Sequence, residues 1–273
     1  MASVKLKKIN DISVKAIKTE ELDTRPIRGK DVCSTCYSNM FLVAPTAGGK
    51  TTTMFEIIKR CAGKKTKIVA FVSTIYNDES WHTIKEWCKR KKINFTGHTS
   101  IFDGKKDLLR EYVDTLTKEA EEREKTKNKP IDIYESCLMF DNYDEEEDEE
   151  DEQYQYPKYI FIFDDLSDEI KATSYEALLK KARHLQILTL SSSQDLKDIK
   201  PATRNQIRVW LLFKNLPPDR LKTIYDSIGC NISFTLFEKM YNYATKDKYN
   251  FFYIAHRNCD YRKNFNTSFI LKQ

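Results

Sequence analysis

No stretch of this sequence approaches the roughly 20 apolar residues that a helix needs to cross a bilayer. The longest apolar runs are strand-sized, such as Tyr159 to Phe163, and membrane insertion is not expected. No apolar segment follows the opening MASVKLKKIN, and the seven cysteines are odd in number and irregular in spacing. Both features argue against secretion and a disulfide framework, so a reducing compartment is expected. Glycine is scarce too, with seven in 273 residues. Two of the seven stand side by side, Gly48 and Gly49, and single out one short stretch.

The formal charge of +5 hides an asymmetry. Nine consecutive acids, Asp144 to Glu152, leave the rest of the chain at +14. A run of like charge repels itself and stays solvated, so residues 141–156 are expected to form an acidic, disordered loop. A second reading makes that loop a mimic of nucleic acid that screens a basic channel. The basic remainder favours a polyanionic partner. The length allows one large α/β domain or two small ones. One is expected over residues 1–273, with residues 1–40, which show no clear period, as an arm or strap rather than part of the core.

In FLVAPTAGGKTTTMFEIIKRC, Phe41 to Cys61, the glycine pair lies between a buried-strand run and a helical pattern. Met54, Ile57, Ile58 and Cys61 recur at the 3.6 period of a helix packed on one face. Strand, tight loop and helix are the setting of a phosphate-binding loop, here in relaxed form with Ala44 at the first glycine position. The expected nucleotide contacts are Pro45, Thr46, Ala47, Gly48, Gly49, Lys50, Thr51 and Thr52. Glycine lets the backbone approach a phosphate, and the helix N-terminus adds partial positive charge. Lys50, expected as an exposed loop lysine, would reach the β- and γ-phosphates of ATP, and the Thr51 hydroxyl would bind Mg²⁺.

Further along, YIFIFDDLSDE places two aspartates directly after five apolar residues. A buried parallel strand with acids at its carboxyl end is where ligands bind in an open α/β sheet. Asp164 is expected in the Mg²⁺ shell and Asp165 as the group that orients or deprotonates the attacking water, with Asp168 and Glu169 as substitutes. Beyond it come a helix ending at Arg183 and His184, a strand from Leu185 to Leu190, and Gln194 just past that strand. Two more strands are expected in QIRVWLLFKN and YNFFYIAHR, separated by helices over 218–228 and 234–244. At least five strands alternating with helices make a P-loop NTPase three-layer α/β sandwich with a mainly parallel central sheet.

With these residues in view, the chain resembles the viral genome-packaging ATPases of the FtsK/HerA superfamily, the poxvirus, iridovirus and virophage kind. LVAPTAGGKTT resembles their phosphate loop, YIFIFDDL their acidic strand, ARHLQILTLSSSQ their arginine-histidine pair and sensor glutamine, and IKPATRNQIRVWLLF and YRKNF their later segments. The resemblance spans Phe41 to about Phe265. It implies a homo-oligomeric ring, a hexamer or pentamer, that hydrolyses ATP to thread double-stranded DNA into a capsid, with capsid proteins as partners and the host cytoplasm, where virions assemble, as the place of action. It also implies Gln194 as a polar sensor and Arg183 as an arginine finger acting on a neighbouring subunit's ATP, with Arg204 in competition. Asp165 departs from the Glu that many members carry.

Two other functions fit a phosphate loop: a nucleoside or nucleotide kinase, and a nucleotide-dependent scaffold that binds capsid protein without turnover. The pairs Cys33–Cys36 and His256–Cys259 could supply four zinc ligands. Their separation of more than 200 residues makes that a poor case from sequence.

Overall fold

A computed structural model describes residues 23–127, 153–166 and 168–271. Strands β1 (Asn39–Val43), β2 (Lys67–Val72), β3 (Asn94–His98), β6 (Tyr159–Asp164), β7 (Ile187–Ser193), β8 (Val209–Phe213) and β9 (Phe251–Ala255) join β10 (Asp260–Lys263) and β11 (Thr267–Ser268) in one sheet. Its order is β11-β10-β9-β8-β1-β7-β6-β2-β3. From β8 to β3 every pairing is parallel, and β9 to β11 add an antiparallel edge. A small separate hairpin, β4 (Phe102–Asp103) and β5 (Lys106–Asp107), lies beyond β3.

The sheet is parallel because its central strands are buried on both faces, which their unbroken apolar runs require. Side chains alternate across it. Phe41 and Val43 of β1 face one core, with α3 (Leu108–Lys127), α4 (Thr173–Lys181), α6 (Pro218–Ile228) and α7 (Phe234–Ala244). Met40 and Leu42 face the other, with α1 (Lys50–Cys61) and α2 (Glu79–Arg90). A single turn of helix, α5 (Pro201–Arg204), leads into β8. The ends of α2 and α7 are set locally. Asp78 accepts from the Ser80 amide at 2.7 Å and Ser233 from the Leu236 amide at 3.3 Å, as helix caps do.

Three expectations shift. The strand expected at Leu185–Leu190 runs instead from Ile187 to Ser193. Gln186 takes a positive φ of 58° that turns the chain into the sheet, and the serines extend the ladder because their hydroxyls find buried partners. Tyr175 donates to Ser191 Oγ at 2.7 Å. Of the expected arm 1–40, residues 1–22 lie outside the described residues, and the rest joins the core, with Val32 and Cys33 buried beside Ile57 and Cys61. Of the expected acidic loop 141–156, residues 141–152 lie outside the described residues. Gln155 pairs with the strap, its amide donating to Pro26 O and its carbonyl accepting from the Arg28 amide.

Asn39, at the start of β1, pins four segments together. Its Nδ2 donates to Leu179 O at 3.0 Å and Gln206 O at 2.9 Å, and its Oδ1 accepts from Thr189 Oγ1 at 2.9 Å. Asn39→Leu keeps the volume but strands three buried polar groups. It is expected to cost about 3 kcal/mol, a fall of roughly 6 to 12 °C in Tm for a chain of this size, read by thermal unfolding.

Candidate functional site

After β1 the chain turns sharply. The Gly48 amide donates to Pro45 O at 3.1 Å, Ala47 has φ 57°, and Gly49 has φ 96°. A methyl group on Gly48 would lie 2.9 Å from that carbonyl oxygen, and Gly49 holds a left-handed conformation that L side chains rarely adopt. Both glycines are therefore demanded by the backbone. Helix α1 begins at once, with no side-chain cap and no acid in its first turn. Its leading N–H groups and partial positive charge face an open cleft of about 600 Å³, lined by residues 46–53 with Asp78, Ser80, Asp165 and Tyr249.

Around the head of α1 the sheet delivers its acids. Lys50 Nζ lies 3.2 Å from Asp165 Oδ1, and Thr51 Oγ1 donates to Asp164 Oδ2 at 3.3 Å. Ser192, at the end of β7, donates to the other Asp164 oxygen. Asp164 is 2% exposed. Burial pushes its carboxyl above the ordinary carboxylate range, the Asp165 charge adds to this, and the Ser192 and Thr51 hydroxyls and the Lys50 charge oppose it. Asp165 holds a positive φ of 55° at the strand end. These hydroxyl and carboxylate oxygens are the hard donors that Mg²⁺ takes, so the residues fit that ion. Among the described residues no group of three His, Cys, Asp or Glu could hold a metal. Cys33 is buried and Cys259 exposed, and the side chain of His256 lies outside what is described, so the zinc reading gains nothing.

The family described as type III restriction enzyme, res subunit (ResIII) matches residues 9–193. The chain belongs to the ResIII family. It has the fold of a viral genome-packaging ATPase. The genome-packaging NTPase B204 of Sulfolobus turreted icosahedral virus 2, in complex with AMP, superposes with a TM-score of 0.53 at 12% identity, covering 84% of this chain and 96% of that one. Its AMPPCP complex gives 0.51 at 13%, covering 84% and 97%. An uncharacterized protein, 088R of Invertebrate iridescent virus 3, is 33% identical over 124 residues, 41% of this chain. The match spans about half of that protein, 48% of its length.

In this ResIII chain the other candidates separate by sheet edge. Strand β7 lies between β1 and β6, and Gln194 follows β7 at the edge that carries the phosphate loop, where the Ala44 amide donates to Ser193 O at 3.2 Å. Gln194 is exposed and does not line the cleft. Arg183 precedes β7 and lies at the opposite edge, roughly 20 Å away along a seven-residue strand. It is exposed, and although its carbonyl accepts from the Gln186 amide at 3.2 Å, no side-chain hydrogen bond or ion pair holds its guanidinium among the described residues. Arg204 is engaged: it donates to Leu196 O at 2.9 Å, Ile199 O at 3.2 Å and Ser227 Oγ at 3.5 Å.

The substitute acids also point elsewhere. Glu169 accepts from Ser100 Oγ at 3.0 Å and from the Ile101 amide, and Asp168 pairs with Lys171 at 3.0 Å in the open. Lys50 corrects the expectation of an exposed loop lysine. It is the first residue of α1 and only 7% exposed, with its ammonium 3.2 Å from Asp165 Oδ1. Sequence reasoning passed over Ser192, Asp78 and Tyr249. The serine run at the end of a buried strand was a usable signal for the first. Tyr249 carried none.

Proposed function

We propose that this protein is an ATP-hydrolysing motor of the FtsK/HerA type that moves double-stranded DNA into a viral capsid. The observation that carries the reading is the convergence of Lys50, Thr51, Asp164 and Asp165 on the unprotected N-terminus of α1. Triphosphate binds across residues 46–52, where backbone N–H groups and the helix end offset its charge. Thr51 and Asp164 would hold Mg²⁺, which neutralises charge on the phosphates when bound. Lys50 turns from Asp165 to the β- and γ-phosphates. Asp165, released, orients the attacking water and takes its proton. Gln194 senses the γ-phosphate from the same sheet edge.

Arg183, at the far edge, serves the nucleotide of the next subunit in a ring. The basic remainder of +14 suits duplex DNA threaded through that ring. The packaging NTPase fold supports a working place at the viral assembly site in the host cytoplasm and capsid proteins as partners. No helix of the described residues is long and apolar enough to cross a membrane.

Steady-state ATP hydrolysis with and without linear duplex DNA tests the reading. A severalfold rise in turnover with DNA, weakening as salt rises, is expected. Phosphate transfer to an added nucleoside or nucleotide would make the protein a kinase, and binding of ATP without turnover would make it a scaffold.

A further inference from the structure

Phosphate contacts alone do not hold a nucleotide's base. Among the described residues lining the cleft at α1, Tyr249 is the one aromatic side chain; the others are threonine, alanine, glycine, serine, lysine and aspartate. A base is a flat, largely apolar ring, and a protein buries it best against another flat ring. Tyr249 belongs to the turn between α7 and β9. Because β9 runs antiparallel to β8, it enters the sheet from the edge that carries the phosphate loop.

The ring is close to that loop. A methyl group built on Gly49 would stand 3.3 Å from Tyr249 Cδ1 and 3.8 Å from its Cβ. Yet the residue is 56% exposed, so its surface is available. Its backbone has φ 68°, a conformation that strains a non-glycine residue and persists where neighbours over-determine it. The neighbours do so here. Lys214 Nζ donates to Lys246 O at 2.6 Å and Asn250 Nδ2 to Asp247 Oδ2 at 3.2 Å, while Asn264 Nδ2 donates to Asn250 Oδ1 at 2.9 Å. The turn is thus tied down on both sides of an exposed ring. Lys248 Nζ lies 4.6 Å over the ring centre, a flexible side chain that a base stacking on that face would displace.

We propose that Tyr249 is the platform on which the base of the bound nucleoside triphosphate stacks, an assignment that rests on the nucleotide reading given above. It divides the site in two: Gly48 to Thr52 take the phosphates, and Tyr249 takes the base.

Titration calorimetry of the full chain with two ligands, ATP and inorganic tripolyphosphate, tests the division. Tyr249→Gly is the informative variant because glycine accepts φ 68° without strain, and an unchanged Tm verifies the fold. Its Kd for ATP is expected to rise about tenfold or more, the scale of losing one stacked base, with tripolyphosphate affinity unchanged. Tyr249→Phe, which keeps the ring, restores ATP binding. The assignment is overturned if Tyr249→Gly binds ATP as the unaltered chain does, or if both ligands weaken equally. Failure of the nucleotide reading looks different: the unaltered chain would bind neither ligand, or Lys50→Ala would hold tripolyphosphate undiminished.

Discussion

Lys50→Ala is expected to lower ATP turnover by about 10²- to 10³-fold, with the fold intact. The size follows from what the ammonium does. A preorganised charge in a water-poor site stabilises the transferring phosphoryl group without reorganisation, and loss of one such donor costs about 10²–10³ in kcat. Lys50 is also the ion-pair partner of Asp165, but that contact breaks when the lysine turns to the phosphates, so the expected loss is that of the phosphate contact. Stability is expected to move little. The lysine is buried, but its partner is 44% exposed, so the pair is worth at most about 1 kcal/mol. A positive charge in the first turn of a helix is itself unfavourable. Turnover by a phosphate-release assay and Tm by thermal unfolding check both halves. Undiminished turnover would remove the phosphate-loop assignment, and a Tm drop beyond roughly 4 °C would show that the lysine is structural.

Mixing two inactive variants should restore activity. Arg183 lies across the sheet from Lys50, too far to serve its own subunit's nucleotide, and no described side chain engages it. In a head-to-tail ring each site joins the phosphate loop of one subunit to the opposite edge of the next. A guanidinium reaching the γ-phosphate from the neighbour acts mainly in the transition state and is worth about 10³–10⁵ in kcat. Arg183→Ala and Lys50→Ala proteins are each expected to be inactive alone. In an equimolar mixture about a quarter of head-to-tail interfaces pair an intact lysine with an intact arginine, so activity should recover to about a quarter of normal. Specific activity of the unaltered chain should also rise with protein concentration. Absence of both effects would sink the trans mechanism. Recovery with Arg204→Ala in place of Arg183→Ala would move the finger to Arg204, which would first have to leave the carbonyls of Leu196 and Ile199.

Much of the architecture was legible because its signals are local. The apolar run before Ala44, the paired glycines and the 3.6 period of Met54, Ile57, Ile58 and Cys61 are set by backbone geometry within one strand, one turn and one helix. The helices over 218–228 and 234–244 came out at those residues because proline opens one and a serine cap opens the other. The strand expected at 185–190 slipped because the ladder is decided by its neighbours: β6 pairs with it as far as Ser191, and β1 carries it on through Ser192 and Ser193. Polar residues look like a strand's end in sequence. Between two parallel neighbours they are its buried continuation.

The candidate site divides along the same line. Sequence by itself determined the phosphate loop, the acids after β6 and a glutamine past the next strand, since each is a residue type at a fixed offset from a strand end. Only the tertiary structure decided which acids reach α1. Asp165 meets Lys50 across 115 residues and Asp164 meets Thr51 across 113, whereas Glu169 turns away to the segment after β3. Only the tertiary structure buried Lys50, set Arg183 on the far edge, and brought Tyr249 beside Gly49, about 200 residues earlier in the chain. The reason is that a parallel sheet gathers strand ends in the order of its strands rather than of its residues, so side chains distant in sequence converge at one edge.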